Sequence, residues 1–234
     1  MERLPTSENS LIVASMMLFC VVLTNGPGEL HAGGAEEFAV ATRLAESGQP
    51  EGFYRLGRVY ELGREVDKDL FEAARQYTVA AEQGHAEAQF SLALILTSVV
   101  PDAPENERKS FNWFNSAARQ NHPMAAYFLA MSYESGIGTA QSSNLAFTWY
   151  QRAANAGIPE AMNALAHMYA TGSGTPIDLP NAYAWNEAAA ANDYAPAKTY
   201  RAHLESQLTP EALTHAMNLA SPLLDKFAPN RTPN

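Results

Sequence analysis

Small and apolar residues recur along this chain at intervals of 36 or 37 positions. Four segments each place a small residue four positions before a leucine, and a tyrosine follows three of these leucines by four positions. Positions i, i+4 and i+8 lie on one face of an α-helix. The pattern therefore predicts four amphipathic helices, each centred on one member of the Leu column, which comprises Leu56, Leu92, Leu129 and Leu165.

A second block keeps the same step and predicts a second helix in each unit. Its defining positions form the ring column, which comprises Tyr77, Phe114, Tyr150 and the polar exception Asn186. An alanine pair follows each of them three and four residues later, and tryptophan precedes the last three. Alanine allows neighbouring helices to approach closely while aromatic rings fill the space between them. We therefore interpret Trp113, Trp149 and Trp185 as packing residues.

The connecting segments carry the residues that helix ends require. Glycine or asparagine follows each second helix, at Gly84, Asn121, Gly157 and Asn192, where a left-handed C-cap is expected. Glycines between the two helices of a unit predict turns with positive φ. Asp178 is predicted to cap the next helix, with Pro180 in its first turn.

Units with L-G-x-x-Y in the first helix and W-Y-x-x-A-A-x-x-G in the second resemble Sel-1-like repeats, relatives of the tetratricopeptide repeat. The resemblance implies an all-α fold, a right-handed α/α superhelix (solenoid) of about four 36-residue helix pairs with terminal capping helices. It implies one solenoid domain over residues 33–228. Its repeats are expected at 52–87, 88–124, 125–160 and 161–196.

The segments beside these repeats also have expected roles. Residues 36–47 are similar to the second helix of an earlier partial unit, and residues 197–228 are expected to form a C-terminal cap. Within this cap a last helix opens at Thr209 and is expected to be interrupted at Pro222. The final residues, 229–234, are predicted to be a mobile tail.

The first 32 residues differ from the rest in character. Leu11 to Leu23 is an uncharged apolar run, shorter than the roughly 20 residues that span a bilayer. It fits the core of a signal peptide, with cleavage after Ala32, and predicts export to the periplasm or beyond the cell. Two alternatives remain, an uncleaved N-terminal membrane anchor and an ordinary apolar helix. The single cysteine, Cys20, lies in this segment, so the exported part would hold no disulfide.

Charge and motifs narrow the function classes. A net charge of −10 disfavours nucleic acid, which needs clustered Lys and Arg. The sequence contains no H-E-x-x-H, G-x-S-x-G, P-loop or Rossmann motif, and no two histidines are three or four residues apart. The sequence therefore predicts no enzyme activity, no cofactor, no metal and no small-molecule substrate.

What remains is a binding surface for another protein. The first helices line the concave side of tetratricopeptide-like solenoids, so the resemblance implies a partner-binding groove there. Its candidate residues lie two before or two after the Leu column, with His203 one unit on, and an acidic fringe (Glu51, Glu61, Glu87, Glu134, Glu160) borders them. The candidates are Tyr54, Arg58, Phe90, Leu94, Tyr127, Met131, Asn163, His167 and His203.

Two interpretations of these candidates stay open, because the same residues could simply pack between first helices as core. As a groove, they would take a partner segment with apolar anchors and some basic charge. The favoured function is a scaffold or adaptor of the cell envelope or secreted space. The alternatives are a structural subunit of an envelope assembly, or a β-lactam-binding, hydrolase-like protein of a family branch whose paired cysteines are absent here.

Overall fold

The computed structural model describes residues 34–63, 65–99 and 104–228, and every regular element in these ranges is an α-helix. The predicted signal peptide and the predicted tail lie outside the described residues. None of the described helices is long and apolar enough to cross a membrane. In chain order the helices are α1 Gly34–Glu46, α2 Pro50–Leu62, α3 Leu70–Glu82, α4 Ala86–Val99, α5 Pro104–Arg119, α6 Pro123–Ser135, α7 Ser143–Asn155, α8 Pro159–Thr171, α9 Leu179–Ala191, α10 Ala195–Gln207 and α11 Pro210–Phe227.

The fold is the expected α-solenoid of helix pairs, in which α2, α4, α6 and α8 are the first helices and α3, α5, α7 and α9 the second. The chain divides into two compact units, one ending at His122 and the other beginning at Pro123. The first unit contains α1 to α5 and the second contains α6 to α11. The expected single domain over residues 33–228 stays a prediction.

Small residues let the two helices of a pair approach closely. The ring of Tyr77 is fully buried in a cluster with Ala73, Ala80 and Leu92. A Cβ atom placed on Gly57 would come within 2.5 Å of that ring, so the glycine makes room for it. Burying one such ring or leucine contributes roughly 1.5–3 kcal/mol to folding. The small and aromatic positions predicted from the sequence therefore form the contact surface between the two helices of the pair.

The turn inside a unit is closed by one repeated backbone hydrogen bond. The N–H of Asp69 donates to the carbonyl of Tyr60 at 2.9 Å. Equivalent bonds of 2.8 Å join Ser142 to Tyr133 and Asp178 to Tyr169. The same three residues cap the second helices, since each side chain accepts a backbone N–H of the first turn. The cap predicted at Asp178 thus recurs at Asp69 and Ser142, and cap and turn together fix how a first helix leads into a second.

The joint after a second helix follows a left-handed residue in every unit. The φ angles of Gly84, Asn121 and Gly157 are +89°, +65° and +95°. In the fourth repeat the prediction of a left-handed Asn192 was wrong, because Asn192 has φ −95° and the next residue, Asp193, has φ +60°. Asp193 lies 36 residues after Gly157, so the correct column continues there. Asp is tolerated because its short polar side chain can adopt the left-handed conformation.

The terminal helices extend the stack in both units. Helix α1 packs on α2 through Ala41, Ala45 and Leu56, as expected for the second helix of a partial unit. At the other end, α11 is continuous through Pro222, contrary to the expected interruption. Both sides of this proline are held in place, since Ala216 lies in a buried cluster and Phe227 approaches Trp185. Packing on each side thus outweighs the backbone hydrogen bond that proline cannot donate.

Candidate functional site

The candidates two positions before the Leu column pack inside the helix pairs. In the first unit, Tyr54 lies 5.8 Å from Tyr77 between ring centroids and stacks on His85 at 4.7 Å. Phe90 repeats the arrangement, 5.9 Å from Phe114 and stacked on His122 at 4.5 Å. These rings are therefore shared between a unit and the joint that follows it.

The same position in the second unit is more enclosed. Tyr127 is only 5% exposed and lies 5.8 Å from Tyr150, again between ring centroids. For Tyr54, Phe90 and Tyr127 this geometry favours the packing interpretation over the groove interpretation. A partner could reach at most the ring edges of Tyr54 and Phe90, which are half-buried.

In the fourth repeat, two amides, Asn163 and Asn186, take the places of this ring pair. Asn186 is fully buried, and its Nδ2 donates to the carbonyl of Ala197 at 3.0 Å. The Oδ1 atoms of both asparagines are buried and have no hydrogen-bond donor among the described residues. These two oxygens are the least satisfied acceptors of the described core.

The candidates two positions after the Leu column are more accessible. Arg58 and Leu94 in the first unit, and Met131 in the second, are half-buried. His167 and His203 are exposed on α8 and α10. These five side chains are the part of the predicted set that a partner could touch without opening the core.

Two of the candidates meet in an imidazole cluster, which comprises His167, Tyr200 and His203. The rings of His167 and Tyr200 are stacked with centroids 4.0 Å apart, and His203 lies over the same tyrosine at 5.4 Å. Partial burial lowers the pKa of His167, and His203 lowers it further, while Glu134 opposes the shift. This shift favours the uncharged form of His167.

The sequence reasoning missed Tyr200, the residue that links the two histidines. Arg201 follows it directly and stands 36 residues after Leu165, where the repeat pattern expects a leucine. A usable signal was present, because Tyr200 and His203 are three residues apart and share a helix face. Arg201 itself forms a double hydrogen bond to Glu187, with Nη2 and Oε2 2.8 Å apart.

The predicted acidic fringe is tied to the helix pairs. Glu61 and Glu134 accept hydrogen bonds from the hydroxyls of Tyr77 and Tyr150, at 2.5 and 2.6 Å. Burial of Glu51 would raise its pKa, but hydrogen bonds from Arg55 and His85 produce a net lowering. These carboxylates therefore orient neighbouring side chains as well as giving the surface its negative charge.

The described residues contain no group of three or more His, Cys, Asp or Glu side chains placed to hold a metal ion. The exposed histidine pair consists of two potential ligands only. The first unit offers the guanidinium of Arg58 and the apolar side chain of Leu94, and the second unit offers the thioether of Met131 and two imidazoles. Such surfaces are suited to recognition of another polypeptide.

Four consecutive segments match the model of the Sel1 repeat. They are shifted by about two residues from the predicted repeats and begin with the first helices of the structure. The matched segments are residues 50–85, 86–122, 123–158 and 159–194.

Two solved structures are similar to this chain. A protective antigen present in uropathogenic Escherichia coli strains, which displays an SLR fold, gives a TM-score of 0.76 at 29% identity. That match covers 84% of this chain and 45% of the antigen. A Sel1 repeat protein from Oxalobacter formigenes gives a TM-score of 0.63 at 30% identity, covering 71% of this chain and 48% of that one.

Two curated relatives are much longer than the matched segment. An uncharacterized protein of Neisseria meningitidis serogroup B is 31% identical over 104 residues, which are 44% of this chain and 21% of the relative. A chitin synthase regulator of Malassezia restricta is 34% identical over 99 residues, covering 42% of this chain and 7% of the regulator. The match thus spans about a fifth or less of either relative.

Proposed function

Because the chain belongs to the Sel1 repeat family, whose members generally mediate protein–protein interactions, we propose that it is an adaptor that holds a partner polypeptide against its first helices. Members of the family are typically non-catalytic scaffolds. The proposed role is therefore recognition by a shaped surface, without chemical change to the partner.

The observation that carries this proposal is the contrast between two sets of candidates. The three rings before the Leu column, Tyr54, Phe90 and Tyr127, pack against other rings, whereas the side chains two positions after the column remain at least partly accessible. On α2, α4, α6 and α8 each such position lies two residues after a buried leucine, so a rigid core fixes where it points. Binding residues held by a rigid element lose little conformational entropy when a partner docks.

The partner surface of the second unit is proposed to consist of Met131, His167 and His203, and that of the first unit of Arg58 and Leu94. Methionine and arginine are enriched at the centres of interfaces. The partner is proposed to present apolar side chains together with some basic charge, because carboxylates such as Glu134 border these residues.

An exported location is proposed with this role. Its support is the apolar run from Leu11 to Leu23, which lies outside the described residues, and the similarity to a protective antigen. The test is a reporter protein fused after residue 33. We expect the reporter to be secreted, and mass spectrometry to show that the first 32 residues have been removed. A reporter that stays inside the cell would contradict the proposal.

The adaptor role is tested by affinity capture from the native cells. Met131→Glu and Arg58→Glu each place charge on the proposed surface, and Met217→Glu is a matched control because Met217 is 51% exposed on α11. We expect one set of proteins to be captured by the unaltered chain and by Met217→Glu, and to be lost from the other two variants. Equal capture by all of them would contradict the surface, and capture of no protein at all would contradict the role.

Helical circular dichroism of the same variants provides the folding control. We expect the spectra of all three to match that of the unaltered chain, because Met131 and Arg58 are only partly buried and Met217 is exposed. Loss of helicity in Met131→Glu would place Met131 in the core.

A further inference from the structure

We infer that the imidazole cluster of the second unit binds an arginine side chain of the partner polypeptide, an inference that rests on the adaptor function proposed above. The cluster consists of one ring from α8 and two rings from α10. The ring of Tyr200 makes interplanar angles of 23° with His167 and 26° with His203. Stacked, nearly parallel rings present flat faces to solvent. A guanidinium is the protein side chain whose planar cation stacks on such faces.

The charges around the cluster favour a cation over an anion. Glu134 lies near enough to His167 to oppose the lowering of its pKa. The same carboxylate accepts the Tyr150 hydroxyl at 2.6 Å, which fixes its position. The uncharged imidazole and the adjacent carboxylate together give a site for positive charge at neutral pH.

The cations of the second unit are already committed elsewhere within residues 123–228. Arg201 pairs with Glu187, and Lys198 pairs with Asp193 at 2.7 Å. The guanidinium of Arg152 lies 4.5 Å from the ring centroid of Trp149, and the Nζ of Lys226 lies 4.5 Å from that of Phe227. Two of the four cations in this range thus lie over aromatic rings of the same unit. No described Lys or Arg is paired with Glu134, so the complementary charge at the cluster comes from outside the unit.

Arginine is favoured over lysine at this position for a geometric reason. A guanidinium can stack on His167 or His203 while its N–H groups donate to a carboxylate in the same plane. An ammonium has no plane to stack and is more strongly hydrated. The site is therefore expected to prefer arginine, and a neutral ureido group of the same shape should not bind.

The experiment uses the full exported chain and a labelled peptide in which three arginines alternate with glycine and serine. Its matched control replaces each arginine with citrulline, which keeps the shape and removes the charge. Imidazole proton resonances of His167 and His203 are expected to shift on titration with the arginine peptide, whereas those of exposed His215 on α11 should not. Citrulline in place of arginine should abolish the shifts, and lysine should weaken binding.

Variants then locate the site. His167→Ala with His203→Ala is expected to weaken peptide binding about tenfold, in the range of a cation–π contact. Tyr200→Phe should retain binding, since it keeps the ring, and His215→Ala should be neutral. Equal binding of the citrulline peptide, equal shifts at His215, or unchanged affinity of the double variant would each overturn the inference. Native partners still captured by the double variant would overturn only this site, leaving the adaptor role intact.

Discussion

The Tyr150 hydroxyl donates a hydrogen bond of 2.6 Å to Glu134 Oε2, and the Tyr77 hydroxyl makes the same bond to Glu61. Both bonds join residues 16 positions apart, across the two helices of one unit. The unit that has Phe114 in the ring column has Thr97 where the other two have glutamate. A hydroxyl and its acceptor are therefore present together or absent together in these three units.

The first prediction tests this pairing. Phe114→Tyr alone should lower the free energy of unfolding by about 1–3 kcal/mol, because it buries a hydroxyl without an acceptor. Thr97→Glu added to it should recover part of that loss. Urea unfolding of the four members of this double-mutant cycle gives the coupling energy. A coupling of zero would show that the tyrosine–glutamate bonds contribute nothing to stability.

Alkaline pH provides the second prediction. Burial, and then the charge of Glu134, raises the pKa of Tyr150 well above its usual value near 10. The folded state therefore keeps a proton that the unfolded state releases, so stability falls as pH rises above about 10. Tyr150→Phe cannot titrate, and we expect its free energy of unfolding to fall less between pH 8 and pH 10.5. Parallel losses in the two proteins would contradict the assigned cause.

Acid pH provides the third prediction. Burial lowers the pKa of His122 below its usual value near 6.5, with the charge of Glu87 opposing the shift. As pH falls below about 6.5, the unfolded state binds a proton at this histidine more readily than the folded state does. The free energy of unfolding therefore decreases. His122→Phe keeps a ring to stack on Phe90 and removes the titration. Its stability should depend less on pH between 7.5 and 5 than that of the unaltered chain, as measured by urea unfolding. Identical pH dependence would exclude His122 as a contributor.

The fourth prediction separates steric closeness from backbone conformation. A Cβ atom on Gly52 would lie 2.2 Å from the backbone nitrogen of Ala45, whereas one on Gly84 would meet nothing within 4 Å. Gly84→Ala should cost about 1–2 kcal/mol, because alanine is strained in the left-handed conformation. Gly52→Ala should cost more, since α1 has to move away from α2. A smaller loss for Gly52→Ala than for Gly84→Ala, in thermal or urea unfolding, would contradict this ranking.

The fifth prediction concerns the amide pair. Asn186→Asp should destabilise the chain by roughly 3 kcal/mol or more at pH 7, because it places a carboxylate in a fully buried position. The loss should shrink at pH 4, where the carboxyl group can hold a proton. Asn192→Asp is the control, since Asn192 is half-buried at a helix end. Equal stability of the two variants would mean that the Asn186 site is open to water.

The repeat pattern was sufficient to predict the helices, because a fixed step of 36 or 37 residues places small and aromatic positions in register. The sequence also predicted the cap at Asp178, since this residue has a local effect on the first turn. The ends were harder to predict. Asp193 holds the left-handed position because the 36-residue step from Gly157 leads to it and not to Asn192. Helix α11 passes Pro222 because packing on both sides of the proline, which the repeat pattern does not contain, holds the helix together.

The candidate surface was predictable only in part. Register alone places Tyr54 and Met131 on related faces, but it does not reveal which of them is covered by the next joint. A ring is covered where a histidine of the following joint stacks on it, as His85 does on Tyr54 and His122 does on Phe90. Tyr200 was missed because its role depends on the approach of α8 to α10, and a periodicity along one helix contains no information about that approach.

The stack of Tyr54 on His85 also limits how the length of this protein can change. The tyrosine lies near the start of the repeat that spans residues 50–85 and the histidine at its end, where Glu51 holds the imidazole at 3.1 Å. A deletion or duplication that starts and stops at equivalent points restores this contact. One that starts elsewhere separates a ring from its imidazole. Gene rearrangements in such arrays should therefore survive in multiples of a whole module, with breakpoints in matching columns.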